Sequence, residues 1–116
     1  MHRRNFSAGE LIFANGDKAS ELFMVLSGAV EIRRGDFSAV VESGEIFGEA
    51  ALLGQSRSMA VSAKSDCVLL GFTRDEIIET FARDPMAAIG IIDAIFRKLA
   101  KTTDELIRLR ASIAEH

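Results

Sequence analysis

The stretch that most constrains this chain runs from Phe47 to Ala63, FGEAALLGQSRSMAVSA. It opens with Gly48-Glu49, a glycine followed by an acid. Ala50-Ala51-Leu52-Leu53 comes next, short and helix-favouring. A polar turn, Gly54-Gln55-Ser56, then delivers Arg57 and Ser58 to a strand over Met59 to Ala63. A glycine allows a ligand oxygen to come close to the backbone. Free N–H groups at the start of a short helix attract an anion, and the helix dipole adds to this. An arginine a few residues on can close over the same anion with a charge-assisted fork. An acid beside a phosphate repels it, so the place for Glu49 is to accept hydrogen bonds from a sugar hydroxyl. Glycine, acid, helix start and arginine in this order suit a sugar phosphate.

The chain before this stretch reads as short strands separated by turns. Gly9 to Phe13 begins one, and Asn15-Gly16-Asp17 turns it. Leu22 to Leu26 is a continuous apolar run, as a buried strand requires. Ala29-Val30-Glu31-Ile32-Arg33 alternates apolar and polar, which fits a strand with one face in the core. Arg34-Gly35-Asp36 is a hairpin turn, with Phe37 to Val41 returning from it. Met59 to Ala63 and Cys67 to Phe72 close the set. Short strands with regular turn signals predict an antiparallel sandwich or barrel. Gly16, Gly28 and Gly44 are expected to form turns, and the eight phenylalanines to pack in the core.

The last third reads as helical. Thr73-Arg74-Asp75-Glu76 has the spacing of a capping box, and the helix it opens is expected to turn Ile77, Ile78 and Phe81 inward. Pro85 suits the first position of a second helix running to about Ile113. Ile92, Ile95, Leu99, Thr102, Leu106, Leu109 and Ile113 recur at alternating steps of three and four. Such a seam suits a parallel dimer, with Glu105 and Arg110 flanking it.

The stretch around Gly48 resembles the phosphate-binding cassette of the cyclic nucleotide-binding domain family. That family includes catabolite-activator-like regulators, regulatory subunits of cyclic AMP-dependent kinase and cyclic nucleotide-gated channels. Its pattern is F-G-E-x-A-L, a short turn, then P-R-[ST/A]-A-x-V. This chain supplies Phe47-Gly48-Glu49-Ala50-Ala51-Leu52, then Arg57-Ser58, then Val61. Gly9 to Phe13, Asn15-Gly16-Asp17 and Leu22 to Glu31 follow the family's first strands in order, so the resemblance covers roughly residues 6 to 100. Two features depart from the pattern. Ser56 stands where a proline is usual, and the turn between Leu53 and Arg57 is shorter.

The resemblance implies a double-stranded β-helix (jelly-roll) sandwich followed by a short helix and a long helix. It implies one domain over residues 1–116, with the jelly roll over 5–72 and the helices over 73–116. It implies a non-catalytic sensor whose ligand is cyclic AMP or cyclic GMP, with no cofactor and no metal. The implied ligand-binding residues are Phe47, Gly48, Glu49, Ala50, Ala51, Arg57 and Ser58. Arg57 would pair with the cyclic phosphate and Glu49 would accept the ribose 2′-hydroxyl. Ala50 and Ala51 would offer backbone N–H groups, and Ser58 a hydroxyl to the phosphate or the base. The long helix would move toward the barrel, cover the base and relay the signal. Each residue also has a plain structural reading: Arg57 as a turn arginine, Glu49 as a helix-start acid, Ser58 as a strand-edge serine.

Composition excludes several other classes. A chain of 116 residues fits one domain, and 48% apolar content can bury a core without staples. A net charge of −3 disfavours a non-specific nucleic-acid binder. In DNA-binding members the long helix leads into a helix-turn-helix module, and only a few residues follow it here, so direct DNA binding by this chain is not expected. Cys67 is the single cysteine and reads as a reduced core residue, as in the cytoplasm. No apolar run approaches the roughly 20 residues of a membrane span. His2 and His116 lie at opposite ends, so neither a metal site nor a cupin-type enzyme is expected. The remaining alternative is a binding-incompetent relative that serves as an interaction module and dimerises through Ile92 to Ile113.

Overall fold

A computed structural model describes residues 1–114, with the side chains of Leu52, Leu53 and residues 102–114 outside the description. Eight strands form two four-stranded antiparallel sheets. They are β1 (His2–Phe6), β2 (Leu11–Phe13), β3 (Leu22–Ser27), β4 (Ala29–Arg34), β5 (Phe37–Glu42), β6 (Ile46–Phe47), β7 (Ala60–Ala63) and β8 (Cys67–Phe72). One sheet runs β1-β8-β3-β6 and the other β2-β7-β4-β5. A 3-10 helix (Glu49–Leu53) interrupts the strands after β6. Helices α1 (Arg74–Arg83) and α2 (Pro85–Ala114) follow. The chain is therefore a mainly β jelly-roll sandwich completed by a short helix and a long one.

The apolar pattern explains the layering. β3 is buried on both faces because it lies between two cores. Phe23 and Val25 face the sandwich interior with Val30, Val41, Phe47, Val61, Cys67 and Leu69. Leu22 faces the helices, in a second core with Ile46, Phe72, Ile77, Ile91 and Ala94. Alternating strands need only one core: along β4, Val30 is fully buried and Arg33 and Arg34 are exposed.

The helical punctuation follows the sequence. The Thr73 side chain accepts from the Glu76 N–H at 3.2 Å, and the Glu76 carboxylate accepts from the Thr73 N–H at 3.1 Å. Pro85 opens α2. Two expectations need correction. Of the three α1 residues expected inward only Ile77 is buried, and Ile78 and Phe81 are exposed, because α1 packs mainly against α2 and Ile77 is its one residue in the second core. Nor are all phenylalanines core residues, since Phe37, Phe81 and Phe96 are exposed. The seam of α2 begins with exposed Ile92 and Leu99 around half-buried Ile95. Its continuation at Thr102, Leu106, Leu109 and Ile113, with Glu105 and Arg110, lies outside the described side chains.

Candidate functional site

Gly48 sets the site geometry. It lies at φ 80° and ψ 25°, the left-handed conformation that only glycine takes without strain, and it caps the 3-10 helix. A Cβ there would sit 2.9 Å from Arg57 Nη1 and 3.3 Å from the Glu21 carbonyl oxygen. Glycine thus serves two ends at once, turning the chain and leaving room for a guanidinium.

Arg57 fills that room. Its Nη1 donates to the Gly48 carbonyl at 2.7 Å, and Nη2 donates to the Glu21 carbonyl at 2.6 Å. Its Cζ stands 4.1 Å from the centroid of the Phe13 ring, a cation–π arrangement. Phe13 in turn neighbours Phe23 and Phe47, whose rings stack at 5.3 Å. The residue is only 6% exposed, so the plain reading of a solvated turn arginine does not describe it. Burial pushes the guanidinium below its ordinary pKa, and the Glu49, Glu21 and Asp17 carboxylates pull it back. Arginine remains cationic under such opposed influences.

The short, proline-free turn still delivers this side chain. The Arg57 N–H donates to the Asp17 carbonyl at 2.7 Å, and the Gly16 N–H donates to the Arg57 carbonyl at 2.8 Å. Ser56 pairs with Lys18 as an antiparallel bridge. The Asn15-Gly16-Asp17 turn therefore acts as a backstop for Ser56 and Arg57.

A cleft of about 80 Å³ opens beside these groups, lined by Gly48, Glu49, Ala50, Arg57 and Ser58 together with Phe13, Ile32, Met59, Val61 and Lys98. Five of the seven residues expected from sequence thus meet in one place. The other two turn inward. Phe47 is fully buried in the sandwich core, where its ring stacks on Phe23. Ala51 is buried, and its N–H closes the 3-10 turn on the Gly48 carbonyl at 3.3 Å. Glu49 is half exposed and forms an ion pair with Lys98 of α2.

A second cleft of about 300 Å³ adjoins the first and shares Ile32, Glu49, Met59 and Lys98 with it. Together they reach the lower end of the usual small-ligand range, about 300–1,000 Å³. Lys101 of α2 also lines the second cleft, with Nζ 3.2 Å from Glu45 Oε2. Phe13 and Lys98 are among the lining residues that sequence alone did not pick out. Phe13 carried only a strand signal, and Lys98 meets Glu49 across 49 positions of chain. Among the described residues no cluster of His, Cys, Asp and Glu is placed to hold a metal ion. No described helix is long and apolar enough to cross a membrane.

Comparison with known proteins gives the class that this fold and cleft define. Residues 3–84 match the family model of the cyclic nucleotide-binding domain, and the chain belongs to that family. It is 32% identical over 113 residues to the cyclic AMP receptor protein of Thermus thermophilus, covering 91% of this chain and 52% of that protein. The solved Thermus thermophilus catabolite activator protein superposes with a TM-score of 0.70 at 31% identity, over 94% of this chain and 55% of that one. The CLP regulator of Xanthomonas campestris, described as responsive to c-di-GMP, gives a TM-score of 0.71 at 25% identity, over 94% of this chain and 59% of that one. The chain spans about half the length of its Thermus relative and less than a fifth of two further curated relatives.

Proposed function

We propose that this chain is a sensor domain that binds a cyclic mononucleotide, cyclic AMP or cyclic GMP, and performs no chemistry on it. The observation that carries this reading is the Gly48–Arg57 pair, a left-handed glycine with a buried guanidinium packed against it at the mouth of a cleft. Arg57 meets the single negative charge of the cyclic phosphate. Ala50 offers a backbone N–H, Ser58 a hydroxyl, and Glu49 accepts the ribose 2′-hydroxyl. Lys98 and Lys101 each already face a carboxylate, which favours a ligand with one phosphate over one with several. The base lies in the adjoining cleft beneath α2.

Binding shifts α2 only if the ligand prefers one of its positions. α2 already rests on the barrel through Ile91, Ala94 and the two lysine pairs. The ligand therefore has to compete for Glu49 with Lys98, and that exchange is how occupancy reaches the helix. Exposed Ile89, Ile92, Phe96 and Leu99 recur at helical spacing along α2 and form a homodimer seam. Dimers by sedimentation, converted to monomers by Phe96→Asp, are the expected result. A cytoplasmic setting fits the single buried thiol of Cys67.

Calorimetric titration with cyclic AMP and cyclic GMP, with 5′-AMP as control, tests the function. Saturable binding of a cyclic nucleotide alone supports it. One observation favours the rival interaction module: Arg57 already has two carbonyl partners and Glu49 already has Lys98. Absence of heat, with no rise in melting temperature under excess ligand, would establish that rival. A ligand at 100 times its dissociation constant adds about 2.7 kcal/mol of stability.

A further inference from the structure

Among the described residues two charged side chains are buried, Glu21 and Arg57, and the two residues touch. The site accounts for Arg57. It accounts for Glu21 only in part, since it uses the backbone carbonyl, which accepts from Arg57 Nη2 at 2.6 Å. The Glu21 side chain has no role there. The residue is 7% exposed, and its Oε2 has no hydrogen-bond partner among the described residues. A buried carboxylate oxygen without a partner costs stability, so an acid at this position calls for a reason.

The other oxygen reaches the edge of the sheet. Oε1 accepts from Arg4 Nη2 on β1. β8 runs between β1 and β3, and the carboxylate crosses it at Gly71, where a Cβ would stand 2.2 Å from Oε2. A glycine inside a strand marks such a close approach, and here it leaves the gap that the Glu21–Arg4 pair needs. The β3–β8 ladder starts one residue later, at Leu22 facing Phe72. Glu21 thus lies just beyond the ladder's end, and its side chain ties it to the sheet. We infer that Glu21 is a positioning residue, which through its pair with Arg4 fixes the carbonyl that aims the Arg57 guanidinium. This rests on the reading of Arg57 as the ligand's arginine, and it makes β1 part of the support of the site. Arg4 also meets the charge of Glu21, which leaves the positive charge of Arg57 to an anion. A guanidinium aimed before the ligand arrives loses less freedom on binding.

Two measurements on the whole chain test this, the first without ligand. The Arg57 Nε–Hε signal in nuclear magnetic resonance, assigned by its loss in Arg57→Ala, should exchange slowly with water. Glu21→Ala and Arg4→Met should each speed that exchange by about 5-fold or more. Glu21→Gln keeps the reach and one acceptor oxygen and should exchange like wild type. The second measurement is titration with cyclic AMP and cyclic GMP. Glu21→Ala should weaken binding by about 5-fold or more, but by less than about 2-fold when Arg57 is already alanine. A residue that only stabilises the fold would weaken binding alike in both backgrounds, and that result would overturn the inference. So would Arg57 exchange that neither Glu21→Ala nor Arg4→Met changes. The Arg4 side chain is 47% exposed, so Arg4→Met is expected to fold and decides the matter if Glu21→Ala does not. If wild type binds no cyclic nucleotide, the functional reading falls, and the exchange rates still decide whether Glu21 positions Arg57.

Discussion

The sandwich and the long helix are held by different means. The sandwich interior is closed: Val25, Val30, Phe47 and Leu69 have no exposed surface. α2 buries only Ala88, Ile91 and Ala94 among its described residues, and leaves Met86, Ile89, Ile92, Phe96 and Leu99 exposed. Near the site its grip on the barrel comes from Lys98 on Glu49 and Lys101 on Glu45. Apolar burial is strong and does not depend on orientation, whereas half-exposed ion pairs are weak and exchangeable. The contrast separates a part that keeps its shape from a part that a ligand can move, and the site lies on the line between them. Arg57 belongs to the rigid part, and Glu49 is shared.

The comparison breaks first, if it breaks, in the core. Phe47→Ala should destabilise the protein by about 3–5 kcal/mol, read as a lower urea midpoint. Ile91→Ala, in the smaller second core, should fall at the low end of the range for such truncations, about 2 kcal/mol. Equal losses would mean that α2 is as firmly built in as β6. The next effect is on affinity. Arg57→Ala should cost about 1.5–3 kcal/mol of cyclic nucleotide binding, roughly 10- to 150-fold by calorimetry. Gly48→Ala should act in the same direction, because the new methyl strains a left-handed residue and crowds the guanidinium. An Arg57→Ala protein with wild-type affinity would move the pocket elsewhere.

Much of the rigid part was legible in the sequence, and its less apolar margins were not. β3 and β4 announced themselves because burial writes itself as a continuous or alternating apolar pattern. β1 did not. Its residues His2 to Asn5 are exposed and mostly charged or polar, and it is held by pairing its backbone with β8. An edge strand that buries so little leaves no periodicity to read. The same limit applies at the site. Gly48 and Arg57 were legible because their nine-residue separation is spanned by a helix and a turn with local signals. Phe13 and Lys98 come to the cleft from β2 and α2, and nothing local in either sequence says what they will face. Ile78 and Phe81 were expected inside as part of a helix packed on the sandwich, and Phe37 as one of the core phenylalanines, but each is exposed.

The sandwich interior also offers a pH test of its closure. Burial pushes the Cys67 thiol above its ordinary value of 9.0, with smaller contributions from the Asp66 and Glu10 carboxylates. The folded state therefore holds its proton at a pH where the unfolded chain has lost it. The stability this reflects is fully present below pH 9 and is lost as pH rises through the raised folded value. Cys67→Ser or Cys67→Ala should flatten that decline. Thiol labelling of the native protein should also be slow at pH 9 and become fast only in urea.

The smallest expected effect is on the shared residue. Lys98 is 30% exposed and Glu49 50%, so their pair is screened by water and contributes at most about 1 kcal/mol to stability. Lys98→Met, which keeps the apolar stem, should leave the urea midpoint almost unchanged. Its effect on ligand affinity has two opposed parts. Without Lys98, Glu49 is free to take the ribose hydroxyl, which favours binding. Its charge is also left unbalanced beside the phosphate, which disfavours binding. The repulsion acts on every approach of the anion, while Lys98 is easily displaced from so exposed a partner, so the second part should win. Affinity is expected to fall, by about 1 kcal/mol or less. The gap to wild type should narrow between 0.05 and 0.5 M salt, because exposed charges are screened over about 10 Å at 0.1 M. A Lys98→Met protein that binds more tightly than wild type would mean that competition for Glu49 outweighs the loss of its counter-charge.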